Sequence, residues 1–502
     1  MESLGDEPWD VVICGTGLQQ SLLALALSRS NKRILHVDPN DYYGEHEAAF
    51  TLQEADAWAA ARGEESAVEG NATAKHPIFK NAKAWKHPDA EGLGLSFPRA
   101  YSLALAPQII HTRSKLLEQL VSSRAYRQVE FLAVGSFFVF DSEASEPEAK
   151  LARIPSSRED VFATQAIPVK SKRSLMKFLK FVIDYSSEEQ KPVWQGQEQK
   201  LLSEFLVSEF KLGDDLQKFI LALTLTLDGR ITVADGLATI NRHLTSMGLF
   251  GPGFCAIYPK WGGSSEIAQV ACRAGAVGGG IYMLDTEAKV SDNLDGHEIS
   301  LELSNGISVR TTKLVTTQQE ALPNAQTITR LVAVVNSPLK PLFEVVVEGA
   351  PTPVVAVVAF PGSTEDSPIY AFVHSSETGE CPSGQSVIYL TTLARPQSAQ
   401  RLESALSDLL VAATPPENSV PVSLYKLQYE QSLSAREPST TTHEGTHTFA
   451  FPSPSLNLFF DDGCLDPVKE AWKLVMGDAA AKNGYMVFQD REGVGDDDEV
   501  YD

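Results

Sequence analysis

The first apolar run, Val11 to Cys14, stops at Gly15 after four residues, the pattern of a buried strand entering a tight turn. A helical stretch follows from Leu18 to Arg29. A second short apolar run, beginning at Arg33, ends in Asp38. Strand, Gly15-Thr16-Gly17 turn, helix, strand and acid form the layout of a dinucleotide-binding fold, in which each glycine has its own task. The third glycine lets the helix pack close to the strand, and its place here holds Gln20, a long polar side chain. The pattern predicts a retained sheet with an altered cofactor site.

Farther along, residues 52–95 are rich in Ala, Glu, Gly and Lys and read as a surface insertion, at least partly disordered. Helix is predicted from Ser114 to Ser123, and strand through Phe131 and from Gly135 to Phe140. Between residues 160 and 245 the pattern turns helical. Leu175, Phe178, Leu179 and Val182 make one amphipathic stripe, and Leu202, Phe205 and Leu206 another. Asp214 or Asp215 can cap a third helix reading Phe219 to Leu227, and Val233, Leu237, Ile240 and Leu244 mark a fourth. Strand patterns return at Gly280–Leu284, Glu298–Leu303, Leu331–Val335, Val354–Phe360 and Val387–Thr392. A helix is expected over Ser398–Ala412, and a last one with Asp466 at its N-cap and Pro467 at N1. The fold class is α/β plus all-α: a large α/β domain of the FAD/NAD(P)-binding, dinucleotide-fold kind (1–159 and 246–490) carries an inserted helical domain (160–245). An acidic, disordered tail follows at 491–502.

At 502 residues the chain holds more than one core, and a hydrophobic content of 43% is ordinary for a globular protein. The net charge of −23 argues against general nucleic-acid binding, which needs a basic face. The five cysteines are scattered and never paired as C-x-x-C, which favours free thiols over disulfides or a metal site. No apolar stretch approaches a membrane span, and the acidic start lacks a signal-peptide core. These features predict a cytoplasmic protein that meets membranes only peripherally.

Catalytic motifs are missing: no G-x-S-x-G elbow, no H-E-x-x-H, and dispersed histidines. The Gly15-x-Gly17 turn still offers backbone N–H groups at a helix N-terminus, but Gln20 stands against close approach, which favours a relic turn over a flavin or nicotinamide site. The run from Phe254 to Arg273 is denser in signal. A turn at Gly262-Gly263 precedes a helix on which Glu266, Gln269 and Arg273 share one face. That row suits recognition of a partner by charged hydrogen bonds, although taken alone it favours an ordinary solvated face.

Val12 to Leu18 with Leu35 to Gly44, then Tyr258-Pro-Lys-Trp-Gly262, Glu266, Arg273 and Gly279 to Leu284, together resemble the Rab escort protein/Rab GDP-dissociation inhibitor superfamily. Glu130 with Gly135–Val139, Leu175–Leu179 and Phe460–Gly463 extend the resemblance. It implies a flavoprotein-like fold without flavin and no catalysis of its own. It also implies a platform for GDP-bound Rab GTPases at Tyr43, Glu266, Gln269 and Arg273. The loop Gly248–Pro259, with Phe250, Phe254 and Tyr258, resembles the family's mobile effector loop. The helical domain resembles the part that shelters geranylgeranyl lipid, with Phe219, Ala222, Leu223 and Gly236 as groove candidates and a filled core equally consistent. Expected partners are Rab GTPases, the Rab geranylgeranyltransferase heterodimer, and membranes through Rab. Glu45 departs from the family, which usually has a second glycine there. Ile281, the 52–95 insertion and the length favour the escort branch, a fungal-type member, over recycling inhibitors. A flavin-dependent oxidoreductase is the remaining alternative.

Overall fold

Val11–Cys14 runs down the middle of a six-stranded sheet ordered Ile281–Met283, Ile34–Val37, Val11–Cys14, Lys313–Thr317, Thr446–Phe451, Ser439–His443. All neighbours are parallel except the last pair. The computed structural model describes residues 4–63, 77–144, 150–155, 169–291, 297–318, 321–322, 324–363, 366–434, 437–443 and 445–489. Helices Leu18–Leu27, Ser264–Val277 and Leu465–Met476 share one core with this sheet, through Ile13, Leu22, Ile267, Val468 and Trp472. The other face, with Val12, Leu35 and Leu314, packs on the small antiparallel sheet Ala288–Val290, Ile299–Leu303, Ser308–Thr311. Burial on both faces explains why the central strands read as continuous apolar runs.

A second, larger sheet is mostly antiparallel and has Thr327–Val335, Ser386–Leu393, Ile369–Ser375 and Val355–Phe360 at its centre. Leu331, Ala333 and Val335 face the helix Ser398–Ala412, while Ile328, Val332 and Val334 join the core under the remaining helices. Those helices are Val169–Ile183, Lys191–Trp194, Leu202–Phe210, Asp214–Ala222 and Val233–Ser246. Phe178, Phe181, Phe205 and Phe210 meet edge-on or tilted in their interior.

Three expectations need correction. The stretch 52–95 is no surface insertion in its described parts. Leu52–Ala61 is a helix fixed by a Thr51/Glu54 capping box, and Phe79–Lys86 pairs with Ser423–Ser432 at the edge of the larger sheet. Leu52, Trp58 and Phe79 are buried there; residues 64–76 lie outside the described residues. The helix expected over Phe219–Leu227 runs instead from Asp214 to Ala222, and the left-handed Leu225 ends any continuation. The last helix starts at Leu465 with Cys464 at its N-cap, so Asp466 sits in the first turn. The start of the expected helical domain (160–168) and the acidic tail lie outside the described residues. No helix among the described residues is long and apolar enough to cross a membrane.

Candidate functional site

The Gly15-Thr16-Gly17 turn is built as the sequence predicts, with Gly17 at the N-cap of Leu18–Leu27. Its mouth, however, is filled from inside. Tyr43 leads into Gly44 and Glu45, both left-handed, with φ of 100° and 43°. This reversal turns the Glu45 carboxyl onto the glycine turn, where a Cβ on Gly15 would collide with it. A Cβ on Gly17 would lie 2.9 Å from Oε2 of Glu45. Gln20 Nε2 donates to Glu45 Oε2 at 3.1 Å and also to Thr317 Oγ1, which itself donates to Glu45 at 3.2 Å. Glu47 adds a second carboxyl, 3.5 Å from the Leu18 N–H at the helix start. Burial raises both acids; the nearby Asp38 and Glu47 raise Glu45 further, and Glu47 reaches about 7.

A dinucleotide does not fit this arrangement. Its pyrophosphate needs the space above Gly15 and Gly17 and the N–H groups of the helix N-terminus. Glu45 holds the first, and Glu47 faces the second. The acid that would meet a ribose is spent as well. Asp38 Oδ2 accepts from Thr16 N at 2.7 Å and Thr16 Oγ1 at 2.6 Å, and Oδ1 accepts from Asn40 N and Nδ2, both at 2.8 Å. Gln20, which the sequence marks as an obstacle to helix packing, is instead a donor that ties the chain's own carboxyl into the turn.

The same loop positions Tyr43. Thr16 Oγ1 accepts from the Gly44 N–H at 3.0 Å, so the socket and the tyrosine move together. Burial raises the Tyr43 hydroxyl, and Cys272 and Asp38 raise it further. The helix Ser264–Val277 is aimed by the run Tyr258 to Gly263. Trp261, Gly262 and Gly263 all have positive φ, a conformation only glycine adopts freely. Close packing reinforces the need at Gly262, where a Cβ would lie 2.5 Å from that of Ala49. Lys260 pairs with Glu130 at 3.0 Å, and Ser102 Oγ donates to the Trp261 carbonyl at 2.8 Å. On the helix, Glu266 and Gln269 are half-buried and Arg273 is exposed. Gln269 donates to Ser265 Oγ at 3.3 Å. Burial raises the Glu266 carboxyl, and Arg273 pulls it back down.

The other expected site residues do not gather in the same way. Phe250 is 59% exposed and Phe254 buried in the irregular chain before the strand Ala256–Pro259, and Tyr258 lies inside that strand, outside the loop expected to hold it. The Tyr258 hydroxyl donates to Glu380 Oε1 at 2.6 Å, and His374 and Tyr389 hold the other carboxyl oxygen at 2.7 and 3.0 Å. This buried cluster locks the strand that leads into the platform helix. Of the groove candidates, Phe219, Ala222 and Leu223 are buried. Gly236 leaves no groove: a Cβ there would lie 2.7 Å from Leu202 Cδ2, so the small residue makes room for a leucine. Ala222 alone of the four lines a cleft of about 820 Å³ between Asp214–Ala222 and the chain around Pro361–Pro368. That cleft is rimmed by Asp141, Asp228, Asp366, Lys218 and Arg230, a polar surround for an isoprenoid. Thr317 and Glu47 escape sequence reading: Thr317 is 297 residues from Gln20, and its only local signal is a strand end. All five cysteines are free thiols, and among the described residues no cluster suits a metal ion.

A family model described as GDP dissociation inhibitor matches residues 5–76 and 63–410. The Saccharomyces cerevisiae protein named Rab proteins geranylgeranyltransferase component A is 30% identical over 416 residues, covering 80% of this chain and 64% of that protein. The chain thus spans less than two thirds of that relative's length. Among solved structures, Rab GDI from Plasmodium falciparum superposes with a TM-score of 0.65 at 18% identity, covering 94% of this chain and 98% of that one. An oxidoreductase from Methanosarcina mazei gives 0.56 at 13% identity, covering 93% and 99%. Both likenesses speak to the fold.

Proposed function

The chain belongs to the GDP dissociation inhibitor family, and from that premise we propose that it is a Rab escort protein. In this reading it binds the GDP form of newly made Rab GTPases, presents them to Rab geranylgeranyltransferase, and delivers the prenylated products to membranes. It carries out no chemistry of its own.

The observation that carries the reading is the occupied glycine turn. A fold shared with oxidoreductases has its pyrophosphate place taken by Glu45 and its ribose acid engaged by Thr16 and Asn40, which supports binding in place of redox chemistry. Tyr43, Glu266, Gln269 and Arg273 are its proposed Rab platform. The amide is held by the Ser265 hydroxyl, Glu266 is half-buried on the same helix, and the exposed Arg273 suits a partner carboxylate or backbone carbonyl. The likeness to a protein named as a transferase component favours the escort role over that of a recycling inhibitor. For lipid shelter, the helices Val169–Ser246 are proposed, with an apolar interior that must open before an isoprenoid enters, since Phe205, Leu206 and Ile240 are packed shut. Contact with membranes then comes through the bound Rab, and the expected setting is the cytoplasm.

Reconstituted prenylation tests this. Purified Rab geranylgeranyltransferase, unmodified Rab-GDP and geranylgeranyl diphosphate are combined with and without the protein. Lipid transfer that depends on the protein is expected. Binding of prenylated Rab without support of transfer would point to a recycling inhibitor, and a tightly bound flavin in the visible spectrum would overturn both.

A further inference from the structure

Trp261 stands half out in solvent on a backbone conformation that suits glycine. Its φ is 72° and its side chain is 51% exposed. Three other large apolar residues among those described share a left-handed φ: Leu225, Leu339 and Met486. All three are at most 3% exposed, so core packing offsets their strain. Trp261 carries the same strain with only half the burial.

The surrounding chain nevertheless holds the ring in one place. The Trp261 N–H donates to the Thr378 carbonyl at 2.9 Å, and its own carbonyl accepts from Ser102 Oγ at 2.8 Å. Gly379, at φ 77°, lies against the indole, where a Cβ would collide with the ring. Lys260 Nζ lies 5.2 Å from the ring centroid and is itself held by both oxygens of Glu130, at 3.1 and 3.0 Å. Glu380, next along, accepts from the Tyr258 hydroxyl, so both ends of Tyr258–Trp261 are tied to the stretch 378–380. A strained aromatic ring that its neighbours keep exposed and fixed points to a task outside the fold.

Its position says which surface it serves. Gly262 and Gly263 carry the backbone from Trp261 straight into the first turn of Ser264–Val277, which bears Glu266. Gly262 also packs on Ala49, in the stretch that follows Tyr43, too closely to admit a Cβ. Trp261 thus sits where the chain after Tyr43 meets the start of the platform helix. We propose that Trp261 is the apolar anchor of the Rab platform, its indole closing on an apolar patch of the GDP-bound GTPase. The inference rests on the platform reading above and adds the contact that the polar row lacks. Glu266, Gln269 and Arg273 orient the partner by hydrogen bonds, while burial of a central aromatic ring supplies holding strength.

Hydroxyl-radical footprinting of the full chain, read by peptide mass spectrometry, follows oxidation of Trp261 with and without saturating unprenylated Rab-GDP. Trp85, 44% exposed on the edge strand Phe79–Lys86, is the internal reference. Rab-GDP should slow oxidation of Trp261 about fivefold, as desolvation of an anchor requires, and leave Trp85 unchanged. In calorimetric titration Trp261→Gly, which the left-handed backbone accommodates, should bind Rab-GDP about thirtyfold more weakly, and Trp261→Tyr should recover most of that loss. The footprint needs no substitution, so the proposal stays testable should the glycine variant unfold. Unchanged oxidation of Trp261 at saturating Rab overturns the proposal, and so does full affinity in a folded Trp261→Gly protein. Protection of the ring by phosphatidylcholine vesicles but not by Rab-GDP also overturns it and assigns the indole to a lipid surface. Arg273→Ala separates the two readings. A loss with Arg273→Ala and none with Trp261→Gly keeps the platform and removes the anchor, whereas full affinity in both removes platform and anchor together.

Discussion

Glu47 should make the protein lose stability as pH rises through neutrality, and Glu47→Gln should abolish that loss. The carboxyl is 6% exposed beside Glu45, and burial lifts it from 4.5 to about 7 despite the Leu18 N–H. A carboxyl raised in the folded state binds its proton more tightly there than in the unfolded chain. Its stabilisation is therefore complete below about pH 4.5 and is lost as pH climbs to 7 and beyond. At about 1.4 kcal/mol per tenfold, a displacement from 4.5 to about 7 is worth roughly 3 kcal/mol. The amide introduced by the substitution has nothing to ionise and reproduces the protonated acid in shape. Urea unfolding from pH 5 to 8.5 measures the difference directly. Wild type and variant should agree within about 1 kcal/mol at pH 5, while at pH 8 the variant should be ahead by roughly 3 kcal/mol. His36, His46 and His243, all held down near 4 by burial, titrate alike in both proteins and cancel. Glu45→Gln belongs in the series because the two acids titrate as a pair. Parallel curves for wild type and Glu47→Gln across the range would refute the reasoning that burial raises the Glu47 carboxyl.

Arg330 is buried in the larger sheet with none of its three guanidinium nitrogens hydrogen-bonded, so Arg330→Met should raise the melting temperature, with a gain of about 1–4 kcal/mol at the midpoint. Gly236→Val should cost about 1–3 kcal/mol in chemical denaturation, because its Cβ meets Leu202; an unchanged midpoint would show that the helices give way. Arg273→Ala should weaken binding of Rab-GDP by about 2 kcal/mol in a calorimetric titration without moving the melting curve, and unaltered affinity would take it off the platform.

How far the sequence spoke depended on whether a feature was local. The glycine turn, its strand and helix, and the helix Ser398–Ala412 are set by neighbouring residues and appear where the pattern puts them. Phe79–Lys86 shows how this fails: its last four residues are exposed, so it carries no apolar run, and its place is fixed by pairing with Ser423–Ser432 far along the chain. The same holds for the site. Gln20 was legible as an anomaly, but its meaning lies in Thr317 and Glu45, which only the fold brings to it. Tyr258 misled because a residue inside a strand and one in a loop look alike when the run is only Ala256–Pro259 long. At Gly236 the sequence suits a groove and a filled core equally, and only the fold gives the space to Leu202.

Glu45, Gln20 and Thr317 also act as a ratchet on the history of this fold. Losing Glu45 alone leaves the Thr317 O–H and one Gln20 N–H without their acceptor in a buried place, and losing Gln20 alone deprives a buried carboxyl of a donor. Each such orphan costs about 1–3 kcal/mol, a large share of the stability a domain has to spare. A descendant regaining a dinucleotide would have to change several of these residues together, because every single step back is less stable than staying. The three bonds that hold Tyr43's loop in place thus make the departure from cofactor chemistry hard to reverse.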